Sequence, residues 1–119
     1  MAFPKPDAAT KAFFDELVPE DPRVTVRPMF GNFAAFVKGN MFLSAFGDAV
    51  AVKLSDADQA QLLSVEGTGA FEPMPGRPMK GYVTLPAAWR DDLDWASEWV
   101  GRSLTYVGAM PSKIPKKKR

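Results

Sequence analysis

A chain of 119 residues, with 46% hydrophobic and 24% charged side chains, has the size and composition of one globular domain with a real core. It contains no cysteine and no histidine, which excludes a disulfide framework, a thiolate nucleophile, and the commonest metal ligand and general base near neutral pH. The net charge of +1 hides an asymmetry: residues 113–119 hold 5 of the 15 basic side chains and no acid, while the preceding residues hold 10 basic against 14 acidic ones.

No apolar run approaches the roughly 20 residues of a membrane span. The N-terminus also lacks the apolar core and small-residue cleavage site of a secretory signal. A cytoplasmic location away from any membrane is expected.

Two prolines make Phe3 to Pro6 an extended lead-in. Asp7 is placed to cap a helix over Ala8 to Val18, with Thr10, Phe13, Phe14 and Leu17 on its apolar side. Pro19 and Pro22 end it. The segment Arg23 to Leu54 holds much of the β-forming sequence. Val24 to Val26 is β-branched, but Pro28 restricts it to an edge strand or an extended segment. Phe33 to Lys38, Met41 to Phe46 and Ala49 to Leu54 read as a three-strand meander. Gly39-Asn40 and Gly47-Asp48 supply its turns. Phe33, Ala35 and Val37 face one side, Ala34 and Phe36 the other, and both faces are fairly apolar.

Ser55 to Asp58 resembles a capping box for a helix to about Ser64 that buries Ala57, Ala60 and Leu62 or Leu63. Gly67 to Gly69 ends it. Phe71 to Met74 and Gly81 to Leu85 are short strands on either side of a proline-rich loop, and period two puts Lys80 on the face of Tyr82. Pro86 opens the last helix, with Asp91 and Asp92 in its first turn or at a second cap, and Gly108 closes it. Trp95, Ala96, Trp99, Val100, Ser103 and Val107 belong to a face wider than the roughly 100° of an ordinary surface helix, so the first helix or a second subunit must cover the excess. A homodimer is expected on this ground. The order helix, three-strand meander, helix, two strands, helix predicts an α+β fold. Its antiparallel sheet of five or six strands packs with helices in two layers.

Several segments taken together resemble the N-terminal domain of the TfoX/Sxy family. They are Val24-Thr-Val-Arg-Pro-Met-Phe-Gly31, Lys38-Gly-Asn-Met-Phe-Leu43 and Ala51-Val-Lys-Leu54, followed by Phe71, Gly76-Arg-Pro-Met-Lys-Gly-Tyr-Val-Thr-Leu-Pro86 and the Trp99 helix. The resemblance covers roughly Ala8 to Met110. It implies a small α+β domain over residues 1–110, similar to the type III secretion chaperone fold, with no catalytic residues to carry over. Family namesakes are regulators of competence genes that act with a transcription factor. They continue into a second domain, where this chain has residues 111–119, a basic tail expected to be disordered. The family commonly has a second glycine where this chain has Asn32.

The candidate contact residues are Arg27, Arg77, Met79, Lys80 and Tyr82. Arg27 beside an apolar strand is snorkelling, paired with a carboxylate, or exposed for an anion. The loop from Met74 to Lys80 sets Arg77 and Lys80 among methionines and prolines, an adaptable surface bearing positive charge; an ordinary solvated loop explains it as well. Lys113, Lys116, Lys117, Lys118 and Arg119 are candidate nucleic-acid contacts through salt-dependent attraction to phosphates, against the commoner role of a solubilising tail. Gly67-Thr-Gly69 lacks the rest of a phosphate loop, and the aspartates from Asp91 to Asp94 are adjacent rather than convergent. No metal or cofactor is expected. The leading expectation is a non-enzymatic regulatory or adaptor domain that acts by contacting a protein partner such as a transcription factor. The alternatives are a nucleic-acid-binding module using the basic tail, and a small-molecule binding protein.

Overall fold

The computed structural model describes residues 8–29, 32–47, 49–72, 76 and 79–111. The chain runs through α1 (Ala8–Leu17), β1 (Val24–Met29), β2 (Asn32–Val37), β3 (Asn40–Phe46), β4 (Ala49–Lys53), α2 (Asp56–Leu63) and β5 (Gly69–Ala70). It continues through β6 (Tyr82–Thr84), a 3₁₀ helix (Ala87–Asp91) and α3 (Leu93–Gly108). The strands form one antiparallel sheet of six in the order β1-β2-β3-β4-β6-β5. The α+β class and the order of elements are as the sequence predicts. Among the described residues, no helix is long and apolar enough to cross a membrane.

The helices occupy one face of the sheet. Helix α1 drops Phe13, Phe14 and Leu17 into the core, and α3 adds Ala96, Trp99, Val100 and Val107. They meet Ala35, Val37, Leu43, Ala45, Val50 and Val52 from the inner faces of β2, β3 and β4. Burying side chains of this kind contributes about 1.5–3 kcal/mol each before entropy is counted. Buried Thr10 binds α1 to the 3₁₀ helix by accepting a hydrogen bond from Arg90 at 2.7 Å.

The meander is interrupted by one bulge. Ala35 pairs with Leu43, but the next residue, Phe36, pairs with Met41, so Phe42 is the extra residue of β3. Phe42 and Leu43 both enter the main core, which strict alternation forbids. The bulge is held from both sides. Tyr82 Oη donates to the Met41 carbonyl at 2.9 Å, and Ser103 Oγ donates to the Phe42 carbonyl at 2.8 Å.

Several expectations need correction. The first hairpin turn is Lys38-Gly39 rather than Gly39-Asn40, because Val37 pairs with Asn40. Lys38 (φ 54°) and Gly39 (φ 79°) both take the left-handed conformation that a two-residue turn of this hand requires. Helix α2 buries only Leu62, while Ala57, Ala60 and Leu63 are exposed, because it meets the body along one narrow line. Its cap is as expected, with Ser55 Oγ accepting from the Asp58 N–H at 3.3 Å. The short strand β5 precedes Phe71, whose ring is buried in an aromatic cluster instead. The last helix is two elements, because Asp92 takes a non-helical conformation (φ −142°, ψ 75°) between the 3₁₀ helix and α3. The proposed Asp7 cap lies outside the described residues.

Candidate functional site

The outer face of the sheet carries no helix among the described residues. Period two and the strand register place Thr25, Arg27, Ala34, Phe36, Met41, Ser44, Ala51, Lys53 and Tyr82 on it. Its two halves differ. Over β4 and β6 lies a small second core of Ala51, Phe71 and Tyr82, with Met41, Phe46 and Met79 packed against it. The Phe71 ring meets Phe46 edge-on at 5.8 Å and Tyr82 at 6.3 Å. Lys53 Nζ sits 4.9 Å from the Tyr82 ring. Burial of this phenol pushes its pKa up to about 12.

Over β1 and β2 the face is open. Arg27 lays its guanidinium 4.5 Å from the centre of the Phe36 ring. A recess of about 250 Å³ follows, lined by Arg23, Thr25, Arg27, Phe36, Lys38 and Gly39. Arg23 grips Asp21 with two hydrogen bonds, Nε to Oδ1 at 3.1 Å and Nη2 to Oδ2 at 2.9 Å. Those bonds hold the Asp21 carboxyl down at about 2 and raise the Arg23 guanidinium. Arg27 has no carboxylate partner among the described residues. Of the three readings of Arg27, the geometry keeps a side chain that covers an aromatic ring and leaves its charge unneutralised.

The chain after α3 returns to this edge. Asn40, buried at the first residue of β3, donates from Nδ2 to the Pro111 carbonyl at 3.0 Å. Arg23 also lies beside the end of α3, with its Nη1 3.7 Å from where a Cβ on Gly108 would be.

Arg27 and Tyr82 thus share the outer face, although only Arg27 is exposed. Met79 is half-buried against Tyr82 and is mainly structural. Lys80 is exposed in a turn before β6. Gly81, at φ 92°, breaks the alternation that would have put Lys80 beside Tyr82. Arg77, Lys113, Lys116, Lys117, Lys118 and Arg119 lie outside the described residues. Lys38 and Asn40 were missed as site residues because their roles depend on a one-residue shift of the turn and on a contact 71 positions away.

A second exposed feature lies at the other end of α3. Trp95 is 54% exposed, although the helical pattern puts it on the apolar face. Its ring stacks on Trp89 from the 3₁₀ helix, with centroids 6.3 Å apart and planes 22° apart. Asp91, Asp92 and Asp94 are exposed nearby in the chain and have no cationic partner among the described residues. Farther along, Arg102 covers Trp99 at 4.3 Å, pairs with Glu98 at 2.8 Å and reaches Asp58 of α2 at 3.3 Å. The wide apolar face is therefore covered by the sheet and by α1. Arg102 takes the Trp99 ring, and Trp95 is left outside.

Among the described residues, no group of three or more His, Cys, Asp or Glu side chains could hold a metal ion. No curated protein and no solved structure matched the chain. A family model described as the TfoX N-terminal domain matches residues 15–106, a span that runs from within α1 through the sheet to near the end of α3. The chain belongs to the TfoX N-terminal domain family.

Proposed function

We propose that this domain is a non-enzymatic adaptor that works in transcription regulation by contacting a protein partner through Trp95 and Trp89. The observation that carries the reading is the exposure of Trp95 in a fixed stack. A tryptophan held in one orientation offers a large contact area with little further entropy to lose on binding, and such residues dominate the energetics of protein interfaces. The aspartates around the stack define the partner's chemistry. Asp91, Asp92 and Asp94 favour a surface bearing lysine or arginine, which can also pack its cation on the indole. The family's regulatory association and the lack of histidine and cysteine agree with binding rather than catalysis.

A photo-crosslinking residue placed at exposed Glu98, one helical turn from Trp95, in the full chain and in its native cells, tests the reading. It is expected to capture one protein with a basic surface, whereas the same residue at exposed Glu66 captures none. Equal capture from both positions, or none from Glu98, would count against the reading. Capture of a second copy of this chain would replace the adaptor with a homodimer.

A further inference from the structure

We propose that the free edge of β1 is a second protein-docking site, which takes up a short, extended segment of a partner protein as an added antiparallel strand, with an acidic side chain opposite Arg27. It is separate from the contact at Trp95. β1 starts beside Arg23, which lies next to Gly108 at the other end of α3.

The backbone sets the geometry. β1 is an edge strand, with β2 on one side and no strand on the other among the described residues. In an antiparallel ladder, alternate residues aim both of their backbone groups at the same neighbour. Two observations fix which residues of β1 aim away from β2. Pro28 has no N–H to give to the ladder, so it suits an outward position. The Val24 N–H is spent on the Asp21 carbonyl at 2.9 Å, outside the pairing with β2. Val26 lies between them in the same phase, so its N–H and C=O both point to the open edge. An antiparallel peptide exchanges two hydrogen bonds with Val26 and donates one to each of the Val24 and Pro28 carbonyls. Pro28 offers no donor in return, which resists open-ended sheet growth and leaves room for a short segment.

The side chains set the peptide's sequence. Val26 is 44% exposed and stands on the helix side of the sheet, in register with Ala35 of the core. Peptide residues opposite Val24, Val26 and Pro28 fall on that side and are apolar. The residues between them fall on the outer side, opposite Thr25 and Arg27. Arg27 is exposed, is held over the Phe36 ring and has no carboxylate partner among the described residues. Arg23 is already engaged by Asp21, so Arg27 supplies the charge. A glutamate or aspartate opposite Arg27 meets a donor that is already positioned. From N- to C-terminus the peptide is apolar, acidic, apolar, threonine-like and apolar. A second copy of β1 fits less well, because pairing about Val26 brings the two Arg27 side chains together on one face and gives neither an acid.

The test is binding of a labelled peptide, Ser-Ile-Glu-Val-Thr-Val-Ser, to the full chain, read by fluorescence anisotropy and by amide hydrogen exchange of the protein. Binding should slow exchange at the Val26 amide and leave the Val24 amide, already bonded to Asp21, as it was. Lysine in place of the peptide's glutamate, or Arg27→Ala in the protein, should weaken binding about three- to fivefold. Arg27→Glu should reverse the preference between the two peptides. N-methylation of the peptide's central valine removes the donor to the Val26 carbonyl and should abolish binding with the protein unaltered. Trp95→Ala should bind the peptide as wild type does, which separates this site from the contact at Trp95. Binding without protection of Val26, equal affinity for the glutamate and lysine peptides, or no binding at about 1 mM peptide would overturn the proposal. So would a wild-type chain that is dimeric by light scattering with its Val26 amide already protected, because a second copy would then fill the edge.

Discussion

Ser103 on α3 donates its hydroxyl hydrogen to the Phe42 carbonyl of β3 at 2.8 Å, and the serine is fully buried. The bulge explains the pairing. An extra strand residue leaves the sheet ladder, so its carbonyl needs another donor. Tyr82 does the same for the Met41 carbonyl from the opposite face. One irregularity in β3 thereby ties α3, the bulge and β6 together. Ser103→Ala should lose about 1–3 kcal/mol of unfolding free energy, because it leaves a buried acceptor unsatisfied. A urea titration checks this. A change within error would mean that water or a shifted backbone replaces the hydroxyl.

Tyr82 links pH to stability at the alkaline end. Its folded pKa is about 12, against 10 for the ordinary phenol, and burial is the cause. The folded state therefore holds the phenolic proton more tightly than the unfolded chain. The contribution is fully present below pH 10 and is lost as the pH rises through about 12. Tyrosinate absorbance of the folded protein should show one tyrosine ionising near that upper value, and Tyr82→Phe should remove that step. Its disappearance in Tyr106→Phe instead would reassign the buried phenol.

Asn32 fastens the start of β2 to a neighbouring turn. Its side chain is buried, and Oδ1 accepts the Gly47 N–H at 3.1 Å, tying β2 to the turn after β3. Replacing Asn32 with glycine should cost about 1 kcal/mol in thermal or urea unfolding, because a partly buried N–H loses its acceptor and the strand gains freedom. An unchanged midpoint would show that Gly47 finds another acceptor.

Much of the fold was legible in local pattern. Thr10, Phe13, Phe14 and Leu17 are the buried residues of α1, as helical spacing predicts, and Pro28 does sit in an edge strand. What escaped notice depended on one-residue offsets. Gly39-Asn40 is the more permissive pair by composition, but Asn40 is needed in the strand, where it binds Pro111, so Lys38 takes the strained position. The bulge at Phe42 is invisible in an apolar run such as Met41 to Leu43, where every register looks acceptable. Phe71 looks like the start of a strand because it is aromatic, yet the strand ends at Ala70; the Phe71 N–H still bonds the Tyr82 carbonyl at 3.3 Å, its carbonyl accepts from the Met79 N–H at 2.8 Å, and its ring packs against Phe46 and Tyr82.

The candidate site was legible in part for the same reason. Arg27 stood out as a charge beside an apolar strand. The stack of Trp95 on Trp89 required the break at Asp92, which turns the 3₁₀ helix against α3 and which helical periodicity alone does not reveal.

Co-purification of the tagged full chain from its native cells, comparing wild type with Trp95→Ala, tests the central claim that this domain works by protein contact at Trp95. Trp95 is largely exposed, so the substitution should change stability by no more than about 1 kcal/mol. The account predicts one partner at near-stoichiometric level with wild type, lost with Trp95→Ala while the melting temperature stays close to that of wild type. Recovery of the same partner undiminished by Trp95→Ala, or of no partner with wild type, would contradict it.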